Sequence, residues 1–247
     1  MRYELTSETK EIEVDGTIHT LHHIKALKGF ICQGRKVNVG DLGGFVETEC
    51  NLSQAQNDTA WVCDNATVYG NAKVFGDATV YGNAKVYGDA EVYGNALVCD
   101  NAKVCDNALV YGDAIICDSA LVCDDATVYG NAKVYGEAEV CGDATVYGNA
   151  KVCGEAEVCG DATVYDNAKV GSDATVCDNA LVYGNAKVCG DATVGDNAKV
   201  CGDADISCSE DIYYDDVNGI TYMKGRNGIL ISDAMFDDFI KTVKANN

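Results

Sequence analysis

Residues 70–87 read GNAKVFGDATVYGNAKVY, three copies of a six-residue unit that decides the fold. The unit runs from Asp58 to Ser207 without an insertion, and Ala stands at every sixth position from Ala60 to Ala204. Val follows two residues after each Ala, replaced only by Ile116 and Ile206. A period this short indicates a solenoid, whose units bury their apolar side chains only by stacking on one another.

Each Ala-x-Val triplet predicts a short strand with Ala and Val turned inward and the middle residue turned outward. The Gly or Asp that follows the strand, together with the next Asn or Asp, tolerates a positive φ and predicts a corner. One unit is therefore one side of a coil.

The residue after Val indicates how many units complete a coil. Sorted at a spacing of 18, this position separates into an aromatic column, a mostly cysteine column and a mixed column. A spacing of 12 or 24 would mix the aromatic residues with the cysteines. The aromatic column is Phe75, Tyr93, Tyr111, Tyr129, Tyr147, Tyr165 and Tyr183, followed by Cys201. The cysteine column includes Cys105, Cys123, Cys141, Cys159 and Cys177. We therefore predict a three-sided coil of 18 residues and a rod roughly 40 Å long, at ~4.8 Å per coil.

This pattern resembles the left-handed parallel β-helix of hexapeptide-repeat proteins, in which an aliphatic residue follows a small residue two places earlier. The resemblance also covers the N-terminal segment of uncharacterised bacterial and phage members, often labelled as acetyltransferases. The matching pieces are Leu5-Thr6, Ile24-x-Ala26-Leu27, Gly40-Asp-Leu-Gly-Gly-Phe-Val-Glu47 and Asn51-Leu-Ser53. The left hand is implied by the resemblance alone, since periodicity does not set it.

The chain is predicted to have three parts. Residues 1–57 form a capping β segment, with a hairpin turn at Asp15-Gly16, that protects the strand edges of the first coil. Residues 58–208 form the hexapeptide-repeat β-helix. Residues 209–247 form a hairpin with a turn at Asn218-Gly219, a strand near 229–231, and a helix from Ser232 to about Ala245.

The charge balance excludes some partners. Lys and Arg number 18 against 39 Asp and Glu, a net charge of -21, and such a field repels nucleic acids and anionic membranes. No apolar run reaches ~18 residues, the length of a membrane span, and the N-terminus lacks an apolar signal core. Fourteen cysteines then favour free thiols in the bacterial cytosol, and the resemblance allows a phage origin.

The outward position between Ala and Val becomes apolar in mid-rod, and such patches usually mark a contact with another chain. We expect an oligomer or another partner to cover this girdle and the aromatic column, with the apolar face of the C-terminal helix as a further contact. The predicted interface residues are Leu97, Leu109, Ile115, Leu121, Tyr93, Tyr111, Tyr129, Tyr147, Tyr165, Phe236, Phe239 and Ile240.

A lysine column suggests an anion site. Lys133, Lys151, Lys169 and Lys187 repeat at 18 residues, and stacked ammonium groups repel one another unless neighbours compensate. One interpretation is surface pairing with Glu137, Glu139, Glu155 and Glu157. The other is an anion groove for a phosphate or small nucleotide, assisted by Arg35 and Lys36.

The remaining columns give weaker signals. Asp125, Asp143 and Asp161 stack at a corner. Three interpretations are open for this corner: a solvated edge that keeps the rod soluble, a cation site, or a mimic of a nucleic-acid backbone. The cysteine column lacks convergent histidines and a CxxC motif, so no metal site is predicted.

No residue of this sequence can be identified as catalytic. The resemblance implies a histidine base and a loop that shapes a coenzyme A pocket, but the repeat region contains neither, and His19, His22 and His23 all lie in the N-terminal hairpin. We expect no catalytic residue and no cofactor. The preferred hypothesis is a non-catalytic rod that presents side-chain columns to a partner. The alternatives are a phage counter-defence protein that sequesters a nucleotide signal or occupies a host protein, and a CoA-dependent acyltransferase.

Overall fold

The computed structural model describes residues 1–14, 16–207, 211–215, 220–224 and 230–232. Within these residues the chain is all β apart from one short 3-10 helix, Glu49–Asn51. Each Ala-x-Val triplet contributes a strand, and successive strands pass in rotation to three parallel sheets. The predicted all-β solenoid is confirmed.

The strands of the coil are given by sheet. Sheet 1 contains Thr67–Val68, Lys85–Val86, Lys103–Val104, Leu121–Val122, Glu139–Val140, Glu157–Val158, Thr175–Val176 and Thr193–Val194. Sheet 2 contains Lys73–Val74, Glu91–Val92, Leu109–Val110, Thr127–Val128, Thr145–Val146, Thr163–Val164, Leu181–Val182 and Lys199–Val200. Sheet 3 contains Trp61–Val62, Thr79–Val80, Leu97–Val98, Ile115–Ile116, Lys133–Gly136, Lys151–Gly154, Lys169–Val170, Lys187–Cys189 and Asp205–Ser207.

The pairing register equals the spacing of the sequence columns. Thr127 pairs with Thr145 and Thr145 with Thr163, each 18 residues on, and Leu97 pairs with Ile115 in the same way. The alanines and valines of the repeat fill the interior and are almost all fully buried. Equivalent positions therefore stand one strand spacing apart along the rod. The left hand of the coil stays a prediction.

The corners are held by hydrogen bonds that the sequence analysis missed. Asp124 has a φ of 57°, a left-handed conformation that Asp tolerates better than most residues. Its Oδ2 accepts a hydrogen bond from the backbone N of Gly142, one coil further on, at 3.0 Å. Asp118 accepts from Gly136 N in the same way, also at 3.0 Å. Part of the acidity of the rod is therefore structural.

The N-terminal segment forms two hairpins and the first rung of the coil. The hairpins pair β1 (Tyr3–Val14) with β2 (Thr17–Ala26), and β3 (Phe30–Cys32) with β4 (Arg35–Val37). β5 (Leu42–Val46) is antiparallel to β2 and parallel to the first strand of sheet 1. The two strands that flank the predicted Asp15-Gly16 turn pair as a hairpin, while residue 15 itself lies outside the described residues.

This segment lies against the first coil. The buried guanidinium of Arg2 donates hydrogen bonds to the carbonyl oxygens of Ser53 and Ala60, both at 2.7 Å. The β3–β4 hairpin lies over the outer face of sheet 3, where Cys32 Sγ contacts Thr79 Oγ1 at 2.9 Å. These two carbonyls at the open end of the coil therefore have partners within the chain.

The C-terminal strands extend sheet 1. Asp211–Asp215 continues it in parallel, and Ile220–Lys224 and Leu230–Ser232 then add antiparallel strands. The predicted hairpin strands are confirmed, and the strand expected near 229–231 is found at Leu230–Ser232. The Asn218-Gly219 turn and the predicted helix with Phe236, Phe239 and Ile240 lie outside the described residues. In the described part of the chain, no helix has the length and apolar character needed to cross a bilayer.

Candidate interaction face

The aromatic column forms a continuous stack of rings along sheet 2. Six consecutive ring pairs, from Phe75 to Tyr183, have centroids 4.7 to 5.0 Å apart and planes within 3° to 6° of parallel. The in-register parallel strands impose this spacing on any residue that repeats every 18 positions. Neighbouring strands usually rotate by about 20–25°, so this side of the rod is unusually flat.

Beside the rings runs an uncharged column. Its members are half-buried outward residues of consecutive strands of sheet 2, namely Leu109, Thr127, Thr145, Thr163 and Leu181. Glu91 precedes the column and Lys199 follows it. We call this column, together with Tyr111, Tyr129, Tyr147, Tyr165 and Tyr183, the ladder face. It is uncharged over five coils of a chain whose net charge is -21.

Four tyrosine hydroxyls of the ladder face, those of Tyr111, Tyr147, Tyr165 and Tyr183, have raised pKa values and remain protonated near neutral pH. Burial raises the pKa of Tyr111, Tyr147 and Tyr165 above the ordinary tyrosine value. A hydrogen bond with Cys201 and burial raise the pKa of Tyr183 to about 12. The face therefore offers neutral hydroxyls and ring edges, and no ionic group.

The two borders of the face differ in their number of carboxylates, and the border next to the rings carries exposed Asp113 and Asp166. Beside the ladder, Asn149, Asn167 and Asn185 form a chain of side-chain hydrogen bonds of 3.1 and 3.3 Å. The opposite corner, before each alanine, carries exposed carboxylates that include Asp125 and Asp143. A partner with strong negative charge would be repelled at that second border.

The structure separates the predicted interface residues into two groups. Tyr93, Tyr111, Tyr129, Tyr147 and Tyr165 all lie in the ring stack, next to Leu109 on the ladder face. The other apolar residues of the girdle lie elsewhere, Leu97 and Ile115 on sheet 3 and Leu121 on sheet 1. Leu181 was missed as a member of the face, because a search for a girdle around mid-rod does not follow one sheet along its length.

The four lysines of the column stack on one sheet, but the structure does not bring all six proposed anion-binding residues together at one site. Lys133, Lys151, Lys169 and Lys187 are exposed and stack in register on sheet 3. Of the two interpretations of the column, ion pairs with glutamates are not seen in the described residues: Lys187 Nζ lies 3.6 Å from Asp205 Oδ2, and the other three lysines have no carboxylate at ion-pair distance.

The two further basic residues of that prediction lie on the N-terminal hairpin. Arg35 and Lys36 belong to β4 and are exposed. The Arg35 guanidinium lies over the Tyr81 ring, 4.8 Å from its centroid. Leu97 and Ile115 occupy the outward positions of sheet 3 between that coil and Lys133, so Arg35 is separated from the lysine column.

All three histidines contact residues of the N-terminal segment. His19 Nδ1 is 3.0 Å from Glu47 Oε1, and its ring lies against Tyr69. His22 Nδ1 is 3.1 Å from the carbonyl oxygen of Thr6. The His23 ring stacks on Phe45 with centroids 4.5 Å apart, and its Nε2 is 2.7 Å from Gly43 O. These contacts join β1, β2 and β5 to the first coil.

Two groups of potential metal ligands lie where cysteines and corner aspartates meet. The sequence analysis did not predict these groups, because it treated the cysteine and aspartate columns separately. In each group the ligand atoms lie within 4.8 Å of one another, and the groups are Cys99, Asp100 and Cys117, and Asp106, Cys123 and Asp124. Burial is the main cause that raises the pKa of the Cys99 and Cys123 thiols to about 12. A metal ion binds the thiolate, so these raised pKa values oppose ligation.

Comparisons with known proteins agree with the repeat architecture. Residues 102–118 match the family described as the YdcK β-solenoid repeat. A search of curated proteins returned no match. Among solved structures, the chain is similar to the acetyltransferase domain of PglB from Neisseria gonorrhoeae FA1090, determined with acetyl coenzyme A, at 18% identity and a TM-score of 0.23.

That similarity covers 55% of this chain and 54% of the PglB chain, so the chain spans about half the length of its structural neighbour. At this TM-score the similarity carries no argument about activity. The six-residue unit, its 18-residue pairing register and the repeat match at 102–118 are mutually consistent. On these grounds the chain is a β-solenoid built from six-residue repeats.

Proposed function

We propose that this protein is a non-catalytic rod that binds another protein chain through the ladder face. The observation that carries the proposal is the uncharged, flat and aromatic character of this one face in a strongly acidic chain. Aromatic residues are enriched in the cores of protein interfaces, from which charged residues are depleted. Such a patch usually marks a contact surface.

The ring geometry favours a protein partner over a nucleic acid or a nucleotide at this face. Bases bind aromatic side chains by stacking on ring faces. Here each internal ring already has neighbours on both faces at 4.9 to 5.0 Å, so only ring edges and hydroxyls point outward. The acidic corner beside the face would also repel phosphate groups.

A non-catalytic role is supported by His23, whose ring is enclosed by residues of the N-terminal segment. A general base needs a free position from which to reach the proton it removes. His23 is covered by Phe45 on one ring face, its Nε2 lies 2.7 Å from Gly43 O, and its Nδ1 lies 3.3 Å from Glu8 Oε2. Free cysteines throughout the described residues suit a reducing compartment, so we place the protein in the cytosol.

The proposal is tested by native mass spectrometry of protein purified gently from its own cells. Thr145→Arg puts a charge at the centre of the ladder face, and Thr175→Arg puts the same charge on a half-buried threonine of sheet 1. We expect the wild type and Thr175→Arg to retain a bound protein chain, and Thr145→Arg to lose it. Equal retention by both variants, or no bound chain in the wild type, would overturn the proposal.

A second candidate function is anion binding at the lysine column. Three exposed, stacked lysines without a carboxylate at ion-pair distance support it, within the described residues. Calorimetric titration with ADP tests it, using Lys151→Ala and, as a matched control on sheet 1, Lys103→Ala. Saturable binding lost only in Lys151→Ala would favour nucleotide sequestration. Acetyl-CoA binding lost on changing His22 or His23 would instead favour the acyltransferase.

A further inference from the structure

The outward column of sheet 2 begins at Lys73, and its part from Glu91 to Lys199 is symmetric about the centre. From one charged end to the other it consists of Glu91, Leu109, Thr127, Thr145, Thr163, Leu181 and Lys199. The residues at equal distances from Thr145 are identical in type, except at the two ends, where the charges are opposite. Such a column is complementary to itself when one copy is reversed.

We propose that the ladder face binds a second copy of this chain in antiparallel orientation, with a two-fold axis through the coil of Thr145 and Tyr147. This inference rests on the proposed function, because it names the partner of the same face. A two-fold interface brings the same surface of both subunits together, so its pattern must match its own reverse.

The antiparallel arrangement places opposite charges together at both ends. Glu91 faces Lys199 of the partner subunit, and Leu109 faces Leu181 of the partner subunit. A parallel two-fold would bring Glu91 to the partner's Glu91 and Lys199 to the partner's Lys199, and like charges in contact destabilise a pairing. The charges at the two ends of the column therefore favour the antiparallel orientation.

The two end residues are suited to these contacts. Glu91 Oε1 is 3.0 Å from Lys73 Nζ in the same chain, and within the described residues its second oxygen has no partner. Lys199 is exposed and has no carboxylate at ion-pair distance in the described part of the chain. Each end therefore retains capacity for an ion pair with the partner.

The aromatic column follows the same symmetry. Tyr147 faces the partner's Tyr147, and Tyr111 faces the partner's Tyr183. The acidic corner with Asp125 and Asp143 lies on the same side in both copies, so its carboxylates repel those of the partner and oppose this pairing. Salt at about 0.15 M limits this repulsion, because the Debye length is then about 8 Å.

Charge reversal tests the orientation by sedimentation at about 0.15 M salt. In an antiparallel dimer, Glu91→Lys and Lys199→Glu each place like charges together at both ends, so each should raise the dimer Kd at least about tenfold. The double variant restores opposite charges and should return the Kd to the wild-type range. In a parallel dimer, both single variants would leave the charge relations like-to-like, as in the wild type.

Two controls complete the test. Lys73→Gln removes the ion pair of Glu91 within the chain and should leave the dimer unchanged. A photoreactive p-benzoylphenylalanine in place of Tyr183 should crosslink to the partner's peptide around Leu109, whereas a parallel dimer would crosslink around Leu181.

Single variants that dimerise like the wild type, or a monomeric wild type, would overturn the inference. In those cases, loss of a different bound chain in Thr145→Arg would leave the proposed function standing.

Discussion

Gly43 has a steric role in joining the N-terminal segment to the coil. A Cβ at this position would lie 2.5 Å from Val62 O, 2.6 Å from Ile24 Cγ1 and 2.7 Å from Trp61 Cζ2. Two of the three atoms belong to the first coil, and the carbonyl oxygen is backbone that cannot rotate away. The Gly-Asp-Leu-Gly-Gly motif of the sequence therefore permits β5 to lie close against the coil.

We predict that Gly43→Ala destabilises the protein by about 1–3 kcal/mol, the usual cost of overpacking. Gly29→Ala is the matched control, because a Cβ there would meet only Val37 O at an ordinary 3.5 Å. Urea unfolding followed by circular dichroism measures both variants. Equal stability of the two would show that β5 can move away from the coil at little cost.

A corner residue provides a second prediction at this scale. Asp124→Ala removes the acceptor of the Gly142 N–H and puts alanine at a φ of 57°, so we expect a loss of roughly 1–2 kcal/mol. Asp124→Asn keeps an acceptor oxygen, suits the left-handed conformation and removes one carboxylate from a crowded corner. We expect that variant to match the wild type or exceed it in thermal unfolding. A stable Asp124→Ala would contradict the structural role of the corner bond.

At the scale of elements, the three sheets are alike inside and different outside. The inward residues are Ala and Val or Ile on every sheet, whereas sheet 2 carries the rings and threonines and sheet 3 carries the lysines. Because each strand exposes only the residue between Ala and Val and the residue after Val, 18-residue columns decide the chemistry of each face. A girdle around the rod therefore spans three surfaces that a single partner does not cover together.

This separation predicts different effects for two residues of the girdle. Leu109→Asp puts a charge on the ladder face and should weaken binding of the partner chain by about tenfold or more, through desolvation of the carboxylate. Ile115→Asp puts the same charge on sheet 3 and should leave binding unchanged. Sedimentation of both variants measures the outcome. A loss in Ile115→Asp alone would place the contact on sheet 3.

At the scale of the whole molecule, the many thiols make the free energy of unfolding depend on pH in the alkaline range. Burial is the largest cause that raises the pKa of Cys105 and Cys141 to about 11 and of Cys159 to about 12, from an ordinary value of 9.0. Below pH 9 the folded and unfolded chains both keep these protons. Above it the unfolded chain releases them first, so the unfolded state gains stability as the pH rises.

We therefore predict that the Tm falls progressively from pH 9 to pH 12. The stabilising contribution of these thiols is complete below pH 9 and is lost as the pH passes their folded-state pKa values. A variant with Cys105, Cys141 and Cys159 replaced by alanine should show a shallower decline over the same range. Thermal scans at intervals of one pH unit measure both proteins, and parallel curves would assign the decline to the tyrosines or other groups.

Much of the architecture could be predicted from the sequence by itself. The alternation of Ala and Val, the corner residues and the columns at 18 residues determined the core, the strands and the pairing register, because in-register parallel pairing turns sequence spacing directly into spatial stacking. For the same reason the aromatic and lysine columns were identified as continuous lines of side chains.

Only the tertiary structure decided which features share a surface and which polar groups are already engaged. It placed β5 in the first rung, where Gly44 stands at the position of the repeat's alanine, and it paired corner aspartates with backbone groups one coil away. It also separated Arg35 from the lysine column and brought the histidines against the N-terminal segment. These facts depend on contacts between residues outside the period, and a periodic pattern holds no information about such contacts.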